Sequence, residues 1–167
     1  MPNYRRSRIA GASYFFTVVT HRRRPWLCEV RARNALRAAI RRQRRAHPFQ
    51  IDAFVLLPDH LHCIWTLPQD DEDYSVRWQL IKASVTRALQ CSDPLWQRRF
   101  WEHTLRNERD FAAHCAYVHY NPVKHGLCTA PLRWPYSSVH RFVREGTYPA
   151  DWGAGPTPRL PENTGGE

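Results

Sequence analysis

The stretch IDAFVLLPDHLHCIWTL, residues 51–67, decides how the chain folds. Two apolar runs of strand length, rich in β-branched and aromatic residues, meet at Pro58 and Asp59, which form a turn signal. They predict an antiparallel hairpin. Side chains alternate along a strand, so His60 and His62 project to one face while Leu61 and Cys63 project to the other. Two imidazoles would then stand about 7 Å apart, near enough to converge on one ion. The same spacing also suits two polar residues on the solvent face of an edge strand, so a site needs further residues.

Outward from the hairpin, the other elements follow from changes of period. ASYFFTVVT, residues 12–20, is a strand, and the basic loop HRRRPWL follows it, with Pro25 ending any pairing. From Glu29 to about Ala46, Val30, Ala35, Leu36, Ala38, Ala39 and Ile40 sit among arginines without proline or glycine, the mark of a helix with one apolar stripe. A second helix is predicted from about Ser75 to Leu89, and a fourth strand within LWQRRFWEHTL, residues 95–105. A third helix begins near Asn107 or Glu108 and is expected to stop close to Asn121, because Pro122 disfavours helical geometry in the residue before it. Strand, helix, two strands, helix, strand and closing helix is the order of an α+β ferredoxin-like sandwich, with helices over one face of an antiparallel sheet. The other face then needs cover or a ligand. Residues 1–145 are expected to form one domain. Residues 146–167, with four prolines and five glycines, are expected to form an irregular, partly mobile tail.

Length and charge narrow the function. A chain of 167 residues suits one compact domain, and no run approaches the roughly 20 apolar residues of a membrane span. A cytoplasmic, nucleoid-associated protein is the expectation. Five widely spaced cysteines without a CxxC pair predict reduced, mostly buried thiols rather than disulfides or a zinc cage. Residues 1–50 hold thirteen arginines, no lysine and one acid, Glu29, for +12, while the remaining 117 residues carry twelve basic and fourteen acidic groups for −2. Of the 25 basic residues 23 are arginine, whose planar fork binds phosphate bidentately and stacks on bases, so nucleic acid is the leading partner class.

The third helix supplies what the hairpin lacks. Within YVHYNPVKHG, residues 117–126, Tyr117 and Asn121 lie four apart on one helix face, with His114 on the same side and His119 pointing elsewhere. The Asn121 amide oxygen and two neutral imidazoles make a donor set for Mg²⁺ or Mn²⁺ with positions left for phosphate oxygens. Beside such an ion Tyr117 is a candidate nucleophile, though a helix tyrosine can also simply pack on a sheet. His119, His114 and a metal-bound water are the candidate acceptors of the phenolic proton. Lys82 and Arg87, a little over one turn apart on the second helix, are candidate phosphate contacts.

Together PDHLH, YVHYNPVKHG and WPYSS (134–138) resemble the REP-associated tyrosine transposases, relatives of the single-tyrosine HUH transposases of small bacterial insertion sequences. The resemblance runs from about Tyr14 to Phe142. It implies that His60 and His62 are metal ligands, that Asn121 takes the third ligand position and that Tyr117 is the nucleophile. It implies cleavage of single-stranded DNA near a repetitive extragenic palindrome (REP) hairpin, leaving a 5′-phosphotyrosine and a free 3′-OH that can later rejoin strands. It places DNA recognition in NYRRSRIAG, residues 3–11, with Tyr4, Arg5, Arg6 and Arg8 as candidates, and it allows a monomer or a homodimer. WPYSS is expected to pack the closing segment.

Three rival readings remain at this point. One is a nucleic-acid-binding ferredoxin-like module, although histidines stand where such modules place stacking rings. Another is a domesticated relative that binds hairpins without cutting. The third is a metal-dependent hydrolase with water as its nucleophile, which would never form a covalent adduct.

Overall fold

The computed structural model describes residues 5–161. Four strands, β1 (Ser13–Val19), β2 (Gln50–Leu56), β3 (His60–Thr66) and β4 (Trp101–Thr104), form one antiparallel sheet in the order β2-β3-β1-β4. Helix α1 (Val30–Ala46) follows β1, α2 (Tyr74–Leu89) follows β3, and α3 (Glu108–Lys124) follows β4. This is the ferredoxin-like order. The hairpin forms as expected, and β3 is an interior strand.

An interior strand is covered twice, and the sequence divides its residues accordingly. Leu61, Cys63 and Trp65 join Tyr14, Phe16 and Val18 of β1 beneath α1 and α2, where Trp65 stacks on Trp78 with ring centroids 4.3 Å apart. Phe15 and Ile64 join Ala53 and Val55 on the opposite face, beneath Cys115, Tyr117 and Val118 of α3. Helices α1 and α2 therefore occupy one face, and α3 covers the other, which an arrangement with helices over one face would have left needing cover or a ligand. Its N-terminus is fixed by the Asn107 side chain, which accepts from the Asp110 amide at 2.9 Å.

Two expectations are corrected. Helix α3 does not stop at Asn121 but continues to Lys124 with Pro122 inside it. Proline removes one helical N–H bond, and burial of Val118 in the sheet-face cluster and of the Pro122 ring itself offsets that loss. Of the stretch expected to form a tail, the described residues 147–161 are irregular, but some of them pack on the domain. Tyr148 stacks on Trp152 at 4.2 Å, and its hydroxyl meets His119 Nδ1 at 2.9 Å. The WPYSS segment closes the domain as expected: Trp134 Nε1 donates to Leu56 O at 2.8 Å, and Val55 bridges to Ser137 on the outer edge of β2. All five cysteines are free thiols.

Burial above all, then the Arg141 and His140 charges, push His119 down to about 3. Between that value and an ordinary histidine pKa near 6.5 the unfolded chain binds a proton that the folded chain refuses. His119 thus contributes stability that rises with pH across this window and is lost as pH falls through it. His119→Leu is expected to flatten the slope of Tm against pH between about 6.5 and 4. A slope equal to that of the parent chain would contradict this.

Candidate functional site

The site lies between β3 and α3. His60 and His62 are 1% and 0% exposed, on the face opposite Leu61 and Cys63, as alternation predicts. Their ring centroids are 4.9 Å apart, closer than the backbone repeat, because the rings meet edge to face. Each imidazole is held through Nδ1. Asp59 Oδ1 lies 2.6 Å from His60 Nδ1, and Thr17 Oγ1, on the neighbouring strand, lies 2.9 Å from His62 Nδ1. With Nδ1 engaged, Nε2 is the nitrogen that each ring could offer to a metal, since a hydrogen bond at one ring nitrogen orients the other. Burial opposes ionisation of Asp59, but hydrogen bonds and charge from His60 and Arg23 outweigh it and hold the carboxyl below its usual range.

Tyr117 faces this pair from α3. It is 3% exposed, and its ring meets His62 edge-on at 5.3 Å and Phe15 at 5.8 Å. Two turns further along, Lys124 Nζ donates to the Tyr117 hydroxyl at 3.1 Å. Asn121 is 0% exposed on the same helix, one turn beyond the tyrosine. His125, at the end of α3, places its ring 5.0 Å from His60. The donor chemistry, two imidazoles fixed at Nδ1 with an amide beside a phenol, fits a divalent ion of the Mg²⁺ or Mn²⁺ kind.

The candidate proton acceptors fare differently. His119 faces away, its Nδ1 toward the Tyr148 hydroxyl and its Nε2 2.7 Å from Ser138 Oγ. It is thus excluded as a partner of Tyr117. His114 does share the Tyr117 side, tilting against Phe15 at 5.1 Å, but its Nδ1 is 2.8 Å from the Asp110 carbonyl and its ring stacks on His103 at 4.7 Å. Burial lowers its pKa, against the raising effect of Asp110. His103, Asp110 and His114 bring ligand-type atoms within 4.8 Å of one another. Asp110 Oδ2 there already accepts from His103 Nε2 and from the Arg106 amide and Nε. This second cluster ties the start of α3 to β4.

The candidate DNA contacts divide into exposed and engaged groups. Arg5, Arg8 and Arg87 are exposed. Arg6 is instead an anchor: it pairs with buried Glu102 at 3.1 Å and lies 3.9 Å above the Phe100 ring. Lys82 is turned inward as well, donating to Gln97 O at 3.0 Å, and burial followed by repulsion from Arg6 brings its pKa down to about 8. Tyr4 lies outside the described residues. The strap beyond Arg6 is fixed by Tyr74 Oη donating to Ser7 O and by Gly11. That glycine has φ +71, and an added Cβ would come within 3.1 Å of Gln69 Cα.

Sequence reasoning missed Asp59, Thr17, Lys124 and His125. Three of these stand inside or beside the quoted motifs, where adjacency was the available signal. Thr17 becomes a neighbour only through the β1–β3 register, which pairs it with His62.

An antiparallel ferredoxin-like sheet with paired histidines packed against a helix tyrosine is the arrangement that the resemblance to tyrosine transposases implies. No family model matches the chain. It is 47% identical over 152 residues to the REP-associated tyrosine transposase of Escherichia coli K12, covering 91% of both chains. A relative from Haemophilus influenzae is 40% identical over 170 residues, covering 93% of this chain and 96% of its own. A solved REP-associated tyrosine transposase bound to a REP hairpin superposes with a TM-score of 0.87 at 46% identity, over 95% of this chain and 94% of that one. The chain belongs to the REP-associated tyrosine transposases.

Arg6→Ala removes a 3.1 Å ion pair to the buried Glu102 carboxylate and is expected to cost about 1–3 kcal/mol in urea unfolding. Arg5→Ala and Arg8→Ala are expected to leave stability within about 0.5 kcal/mol. Equal effects at all three positions would contradict the anchoring role.

Proposed function

We propose that this chain binds REP-type DNA hairpins and cleaves and rejoins single-stranded DNA beside them, with Tyr117 as nucleophile. The observation that carries this reading is the packing of the Tyr117 ring against His62, whose Nδ1 is fixed by Thr17, with Lys124 Nζ 3.1 Å from the phenol oxygen. It favours a covalent route over water attack, because a phenol packs directly against one of the paired imidazoles. His60, His62 and Asn121 would hold a divalent ion, which when bound polarises the scissile phosphate.

In cleavage the Tyr117 oxygen forms a bond to phosphorus and loses its proton. The bond from phosphorus to the 3′ oxygen breaks, and that oxygen leaves as a protonated 3′-OH. Rejoining reverses both bond changes and returns the negative charge to the phenol oxygen. Lys124 stands where a cation stabilises that charge in either direction. Arg5, Arg8 and Arg87 are the exposed members of the candidate DNA contacts, and Arg6 positions the recognition segment. One chain supplies both the histidines and the tyrosine helix, which supports action as a monomer. Such chemistry on chromosomal hairpins would place the protein at the nucleoid, and among the described residues no helix is long and apolar enough to cross a membrane.

A 5′-labelled hairpin strand incubated with the protein and Mn²⁺ is expected to give a shorter 5′ fragment and a protein adduct on its 3′ portion. Both products are expected to vanish in Tyr117→Phe; cleavage that persists there would defeat the assignment, and cleavage without adduct would favour hydrolysis. Binding without either product in the parent chain would favour the non-cleaving module. Lys124→Met is expected to slow cleavage and rejoining by about 10- to 100-fold with little change in hairpin affinity. An unaltered rate would remove Lys124 from the chemistry.

A further inference from the structure

Seven of the seventeen residues of α1 are arginine and none is acidic. Arg33, Arg37 and Arg41 follow one another at four-residue spacing, with Arg44 on the same side, so like charges repel along one stripe. A helix that needed only a solvated face would mix signs. Among the described residues no carboxylate pairs with any of these four arginines. Arg37, Arg41 and Arg44 are exposed.

The stripe forms one wall of a groove of about 520 Å³ whose opposite wall is the segment Pro135–Ser138. Its floor includes half-buried Phe54 and Ile51 from β2. Tyr136 stands in the far wall with the Arg33 guanidinium 4.5 Å from its ring centre, and Arg33 Nε is a buried donor without a protein acceptor among the described residues. No aspartate or glutamate lines the groove.

The groove begins beside the site. Leu56 ends β2, and its amide donates to Tyr136 O at 2.9 Å while Leu57 N, the next residue, bonds His60 O across the turn. The same turn thus carries His60 on one side of the sheet edge and the Tyr136 wall on the other. From Arg33 to Arg44 the stripe runs roughly 16 Å along the helix, enough for several backbone phosphates.

We propose that this groove holds single-stranded DNA flanking the cleaved phosphodiester, with phosphates on Arg37, Arg41 and Arg44 and bases against Tyr136 and Phe54. The proposal rests on the strand-cleavage reading and adds a second DNA tract, distinct from the N-terminal segment. A basic wall facing an apolar floor with an aromatic ring suits a strand whose bases are unpaired. A duplex stem would offer the floor only phosphates.

Fluorescence anisotropy on the full chain tests it, with two probes: a REP hairpin ending flush and the same hairpin with a ten-nucleotide single-stranded extension on each end. The triple variant Arg37→Gln, Arg41→Gln, Arg44→Gln is expected to bind the extended probe at least about tenfold more weakly. Its salt slope for that probe should be shallower by about 2, the value for three single-strand phosphate contacts. Affinity for the flush hairpin should be unchanged, and a triple lysine variant, which keeps the charge, should retain most binding. Equal loss on both probes would assign the groove to the stem and overturn the proposal, as would no loss on either. A lysine variant as weak as the glutamine one would also overturn it. An unchanged circular dichroism melt guards against misfolding. A parent chain that binds the extended probe through these arginines yet never forms a DNA adduct would mark failure of the strand-cleavage reading alone.

Discussion

The interior position of β3 is the constraint on which the structure depends. With cover on both faces, every side chain of β3 from His60 to Trp65 is buried, whichever row it belongs to. One row is apolar and builds the core beneath α1 and α2. The other begins with two histidines, and a buried imidazole must find partners. Asp59 and Thr17 take one nitrogen of each ring; the Asp59 carboxylate, which only accepts, makes His60 Nδ1 the donor, and both contacts set the ring orientations. Burial here serves orientation, because a histidine locked at Nδ1 has little freedom in where Nε2 points.

Helix α3 answers the same constraint from above. Its length past Pro122 carries Lys124 two turns beyond Tyr117, so that an ammonium and a phenol oxygen meet at 3.1 Å. A helix ending at Asn121 would leave the lysine in a loop. The docking of Tyr148 and Trp152 on His119 secures the outer side of the same helix. The His103–Asp110–His114 cluster secures its start, where burial opposes ionisation of Asp110 but Arg106 and His103 outweigh it and hold the carboxyl down to about 2. Precision at the site is thus supplied by contacts at both ends of one helix.

Much of this was legible in residue patterns, and the reasons for the rest are physical. Alternation in HLHCIW correctly separated the histidines from Leu61 and Cys63, because a strand's period is independent of its surroundings. Strand and helix limits agreed within a residue or two wherever β-branched runs or cap residues marked them. The continuation through Pro122 was not legible, since tertiary burial overrode a local rule. Nor was the inward turn of Arg6 and Lys82, because charge alone does not distinguish an arginine facing solvent from one over Phe100. The docked residues after Gly146 hide behind a composition rich in proline and glycine, although Tyr148 and Trp152 were the signal that something there packs. Thr17 required the strand register itself.

In the proposed chemistry β3 and α3 build one site in which His60 and His62 would ligate a divalent ion through Nε2 beside Tyr117. Pulsed electron paramagnetic resonance of Mn²⁺ bound to the full chain tests it most directly, because imidazole nitrogens on the ion give resolvable couplings. Two histidine nitrogens are expected in the parent chain, one in His60→Ala and in His62→Ala, and two in Tyr117→Phe. A spectrum without nitrogen coupling, or one unchanged by either histidine substitution, would contradict the account.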